Sequence, residues 1–147
     1  MEGNNKIAKE YTKHIPTGDS LEDVYKRNEI IIECLLPLIG KSVKCKAYRN
    51  NVEFVFKSID ETATRAAKTY ESTLAALRIE EALRDAVIVR KGKPESNNQK
   101  KMGFIKIHVL KSFLKNIGEV KIVIGERKKQ KVIHYCITKK IRPTKNI

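Results

Sequence analysis

Residues 103–138 constrain the fold more than any other part of the chain. In GFIKIHVLKSF (103–113) apolar side chains alternate with polar ones. EVKIVIG (119–125) and KVIHYCIT (131–138) keep the same period of two, separated only by the polar link ERKKQ. Alternation places successive side chains on opposite faces of a strand. The last third therefore predicts three strands, the final two forming a hairpin.

The preceding residues supply the elements that such a sheet needs on its apolar face. Ser20 followed by Asp23 has capping-box spacing, and Leu21, Val24, Asn28, Ile31, Leu35 and Leu38 follow helical spacing until Pro37 and Gly40. Val43, Cys45 and Ala47 alternate with lysines and Tyr48, and Val52, Phe54 and Phe56 alternate on the far side of Asn50-Asn51, which predicts a hairpin turning at the two asparagines. A long helix is predicted from about Asp60 to Asp85. Ser58 and Glu61 are spaced as a cap, and Ala63, Ala66, Ala67, Tyr70, Leu74 and Leu77 form an apolar stripe whose small alanines permit close approach to a sheet. AVIVR (86–90) reads as a short strand and KGKPESNNQKK (91–101) as a flexible loop. The fold class is α+β: N-terminal helices and a hairpin, then a long helix packed on an antiparallel sheet. One domain over 20–140 is expected, preceded by a polar arm (1–19) and followed by a basic tail (141–147).

Charge is distributed unevenly. The net charge is +14; residues 1–90 carry 15 Lys and Arg against 14 Asp and Glu, whereas residues 91–147 carry 16 against 3. A basic excess confined to one region points to a polyanionic partner, most commonly nucleic acid. No apolar run approaches the ~18 residues of a membrane span, and MEGNNKIAKEYTKH lacks the apolar segment of a signal peptide, so a cytoplasmic protein without a membrane partner is expected. Cys34, Cys45 and Cys136 have no metal-ligand spacing and are expected as buried free thiols, with no metal and no cofactor.

If Ile105, Ile107 and Val109, with Val120, Ile122, Ile124, Ile133, Tyr135 and Ile137, form the face packed on the long helix, the opposite face collects Lys106, His108, Lys121, His134, Cys136 and Thr138. Arg127, Lys128 and Lys129 lie at the adjoining turn. Such a set suits metal-independent RNA cleavage. A base takes the 2′-hydroxyl proton, an acid protonates the leaving 5′-oxygen, and cations stabilise the phosphorane-like charge. Histidine fits the proton transfers because its ordinary pKa is about 6.5, and Lys and Arg fit the phosphate. Any basic sheet face shows the same pattern, so alternation leaves three readings open: catalysis, phosphate binding without chemistry, and a solvated surface.

The stretches IGKSVKCKAYRNNVEFVFKS (39–58), TRAAKTYESTLAALRIEEALRDAVIV (64–89), GFIKIHVLKSF (103–113) and EVKIVIGERKKQKVIHYCIT (119–138) resemble a domain found in large polyvalent proteins of phages and conjugative elements. Those domains resemble in turn the barnase–EndoU–colicin–RelE superfamily of RNase-like folds. The likeness rests on a GK-x-V phrase before a hairpin, a helix, an apolar strand, a strand bearing a His, and a final hairpin ending in a Tyr-containing strand. Ile107 and Leu110 stand where aromatics would flank the His.

The resemblance implies an RNase-like fold and endoribonuclease activity on RNA rather than DNA, as in a toxin or mobile-element protein; a toxin of this kind would have an inhibitory partner protein. It places the marker His on His108 and the terminal-strand Tyr on Tyr135. With the reading of the sheet faces, His108 and His134 are the acid–base candidates, with Lys106 and Arg65 beside them. Lys68, Lys121, Arg127, Lys128, Lys129, Tyr135 and Thr138 are the candidates for holding nucleic acid. The alternative is a nucleic-acid-binding module without catalysis.

Overall fold

The computed structural model describes residues 15–139. The predicted arm at 1–14 and the end of the chain from residue 140, with the predicted tail, lie outside the described residues.

Helix α1 (Leu21–Leu35) begins where expected: the Ser20 side chain accepts from the Asp23 N–H at 3.0 Å, satisfying a first-turn donor. A 3₁₀ turn (Leu36–Leu38) carries Pro37, and Gly40 takes a positive φ of 82°. The hairpin that follows is much shorter than the alternation predicts. Strands β1 (Ser42–Val43) and β2 (Val52–Glu53) pair over two residues each. Residues 44–51 form a loop, not an extended arm around Asn50-Asn51, and Asn51 bonds the Ser42 hydroxyl at 3.2 Å. The loop turns Tyr48 inward against the sheet, which a straight hairpin could not do.

The long helix is three helices: α2 (Phe56–Ala66), α3 (Tyr70–Leu77) and α4 (Ile79–Arg84). Ser58 is not the cap residue. It lies inside the first turn of α2 and accepts from the Val55 N–H at 2.9 Å. The break after Ala66 is made by Thr69, whose hydroxyl accepts from the Ser72 N–H at 3.1 Å and starts α3 afresh. Buried Arg27 braces this break. Its Nε donates to the Ala67 carbonyl at 2.8 Å, and its Nη1 donates to the carbonyls of Pro16 and Gly18 at 2.9 and 2.7 Å. Residues 15–18, expected in a polar arm, are thereby tied to the body, with Ile15 buried.

Strand β3 (Val87–Gly92) and a short helix α5 (Asn97–Lys101) follow, the latter inside the stretch predicted as loop and opened by a Ser96–Gln99 capping box. Strands β4 (Lys106–Leu114), β5 (Gly118–Arg127) and β6 (Lys131–Lys139) form the predicted meander. The six-stranded sheet runs β1-β2-β6-β5-β4-β3. Its pairs are antiparallel except β2 with β6, so the sheet is mixed. The architecture is α+β, but helices and strands are interleaved rather than segregated.

The helices cover the face built from Leu110 and Leu114 of β4, Val120, Ile122 and Ile124 of β5, and Val132 and Ile137 of β6. Ala63, Ala66 and Ala67 are fully buried against it, as their size allows. Each fully buried Leu or Ile contributes about 1.5–3 kcal/mol. A smaller cluster (Met102, Phe104, Ile107, Val123, Ile133, Tyr135 and Cys136) covers one end of the opposite face. The assignment of Ile107 and Val109 to the helix face is thus reversed: Leu110, Ser112 and Leu114 have the parity of His108, and that parity faces the helices. In β6 the register shifts between Val123↔Cys136 and Ile124↔His134, leaving Tyr135 as an extra residue. This bulge puts Ile137 and His134 on the helix face while Ile133 and Cys136 lie on the other. Cys34, Cys45 and Cys136 are buried free thiols. No described helix is long and apolar enough to cross a membrane.

Candidate functional site

The two histidines are on the helix side of the sheet, walled off from the opposite face. His108 in β4 is 2% exposed. Its Nε2 lies 2.9 Å from Glu126 Oε1 and its Nδ1 2.6 Å from the Tyr48 hydroxyl. A carboxylate only accepts, so Nε2 carries the proton and Nδ1 accepts from Tyr48. The Tyr48 ring stacks on the imidazole. Burial lowers the His108 pKa, while Glu126 opposes that shift. The result is a satisfied Tyr–His–carboxylate chain pinning the 44–51 loop to the sheet.

His134 is fully buried, stacked on Phe54, with Nε2 2.8 Å from the Thr62 hydroxyl. Among the described residues its Nδ1 has no hydrogen-bond partner, and burial pushes its pKa down to about 3. It is neutral at physiological pH. Neither imidazole shares a face with Lys121 or Thr138, and the two do not bond one another. Lys106 is exposed at the start of β4, opposite Glu126.

The other candidates fall into two groups. Arg127 donates through Nε to the Met102 carbonyl at 2.8 Å and lies over the Phe104 ring, and Lys128 and Lys129 are exposed in the adjoining turn. Arg65, Lys68, Lys121, Tyr135 and Thr138 come together around a groove of about 450 Å³ on the face opposite the main helical layer. Helix α2 runs along the edge of β6, where the Thr62 hydroxyl donates to the Tyr135 carbonyl at 3.3 Å. That places Arg65 and Lys68 on one wall. Arg90 of β3, with Glu95 and Ser96, forms the other. The floor includes Val109, Val123 and Cys136.

Arg65 is held by Glu61 at 2.8 Å and lies 5.6 Å from the Tyr135 ring centre. The pair raises the Arg65 pKa, and Glu61 is lowered by its bonds to Arg65 and Asn98 against the opposing effect of burial. Arg90 has a loose pairing with Glu95 at 3.7 Å. Among the described residues, no carboxylate pairs with Lys68 or Lys121. Tyr135 is 1% exposed and its hydroxyl has no well-formed hydrogen bond, although Ser96, Glu61 and Arg65 are close enough to influence its ionisation. Burial raises its pKa, so it carries its proton at neutral pH.

Alternation could not find Arg90, which follows a register shift in β3. Nor could it reveal Tyr48 and Glu126, which meet His108 only through a loop and a neighbouring strand.

These features define an interleaved α+β domain with a cationic groove on one face of a mixed sheet. The chain belongs to the family of large polyvalent protein-associated domain 3, whose model matches residues 22–135. No curated protein and no solved structure matches the chain.

Proposed function

We propose that the domain binds nucleic acid through this groove, with Arg65, Lys68 and Lys121 on backbone phosphates, the half-buried Thr138 hydroxyl as a neighbouring polar group, and the buried Tyr135 ring as part of the wall behind Arg65. One observation carries the reading: cations from α2, the turn after it and β5 converge on one groove, and among the described residues two of them lack a carboxylate partner. Confined cations facing an apolar floor attract phosphate more strongly than scattered surface lysines do. The test is the affinity for a fluorescent RNA oligonucleotide across a salt series. Combined R65Q, K68Q and K121Q should reduce the log–log salt slope by about 2, at roughly 0.7 per lost contact on a single strand. An unchanged slope would refute the groove as the binding site.

Cleavage of RNA by 2′-hydroxyl attack, which the RNase-like resemblance suggests, is the second reading. Of the catalytic candidates, exposed Arg65 is the one on the groove wall, where a phosphate can reach it. The buried positions of His108 and His134 lend their acid–base pairing no support. Incubation with RNA in EDTA distinguishes the readings: cyclic-phosphate ends that Arg65→Gln abolishes support cleavage, and intact RNA supports binding alone. An inhibitory partner protein belongs to the cleavage reading only.

A further inference from the structure

Beyond the groove, the same sheet face opens to solvent. Lys111 of β4 and Lys121 of β5 stand directly opposite one another, and both are exposed. Side chains so paired are neighbours on one face, and like charges there are destabilising. Among the described residues neither lysine has a carboxylate partner. Phe113, two residues beyond Lys111 on the same face, is 74% exposed. Thr138 is paired with Lys121 from the other side and is half-buried. A like-charged ammonium pair, an exposed aromatic ring with Glu119 opposite it in register, and a hydroxyl thus share one open surface continuous with the groove through Lys121.

We infer that this surface receives an unpaired RNA strand: Lys111 and Lys121 take a phosphate between them, Phe113 stacks on a base, and the Thr138 hydroxyl meets a ribose 2′-hydroxyl. The inference rests on the nucleic-acid reading of the groove and adds to it the strand state, the sugar and a stacking residue. Charge complementarity selects the occupant, since a phosphate between the two ammonium groups removes their repulsion. The ring selects the unpaired strand, since only an unstacked base offers its face to a side chain. The hydroxyl selects RNA, whose 2′-hydroxyl both donates and accepts.

The experiment measures fluorescence anisotropy of the full chain with a labelled single-stranded RNA decamer, the DNA of the same sequence, and an RNA hairpin duplex. Single-stranded RNA should bind tightest. F113A should weaken it by about fivefold or more and leave duplex affinity unchanged. K121Q should weaken binding yet raise the melting temperature, because it removes the like-charge pair. Equal affinity for duplex or DNA, or an F113A variant of unchanged affinity, would overturn the inference while leaving groove binding intact. Competition by polyglutamate as effective as by RNA at equal charge would overturn it in favour of an acidic protein. Failure of the wild type to bind any of the three oligonucleotides would overturn both this inference and the groove reading.

Discussion

At the scale of single residues, the buried histidines make stability depend on pH in a definite direction. Their ordinary pKa is 6.5, and folding lowers both, His134 to about 3. The unfolded chain therefore binds more protons than the folded chain between those values. The stabilisation from His134 is present above pH 6.5 and is lost as pH falls toward 3, at up to ~1.4 kcal/mol per pH unit, and His108 acts in the same direction. Urea midpoints measured from pH 7 to pH 4 should fall steadily, and His134→Gln should flatten the slope. Tyr48→Phe removes the hydroxyl that bonds His108 Nδ1 and should cost about 1 kcal/mol in urea unfolding at pH 7.

At the scale of elements, two local features set the geometry of the groove. Thr69 interrupts what the apolar stripe alone would make one long helix, and the break leaves Lys68 exposed on the groove wall. Thr69→Ala should destabilise the fold by about 0.5–2 kcal/mol, and because Lys68 would be repositioned, RNA affinity should fall along with the melting temperature. Strand β5 carries Gly125, where an added Cβ would run into the Phe104 ring. Gly125→Ala should therefore cost about 1–3 kcal/mol by overpacking, measurable as a lower thermal midpoint. Helix positions were largely legible in the sequence because caps and periodicity are local. The helix break was not, because Thr69 competes with a continuous apolar stripe and Arg27, 40 residues away, braces the alternative.

At the scale of the whole molecule, the basic excess is organised by the sheet. Lys111 and Lys121 meet by strand register, while Arg65 arrives from α2 beside β6 and Lys68 from the turn that follows it. Combined Lys128→Gln and Lys129→Gln, in the turn at the sheet's end, should change RNA affinity less than K68Q with K121Q; a salt titration of both variants checks this.

What the sequence determined by itself was the α+β class, the meander, the first helix and the basic bias of the last third. Those depend on periods of 2 and 3.6 and on composition, which each segment expresses alone. Only the tertiary structure decided which sheet face meets the helices. Residues 107–110 are buried on both faces, so alternation had no unambiguous sign there. One extra residue at Tyr135 then reversed the parity of β6, moving His134 into the core and leaving Thr138 beside Lys121. A strand's faces are fixed by its partners, and a shift of a single residue exchanges them.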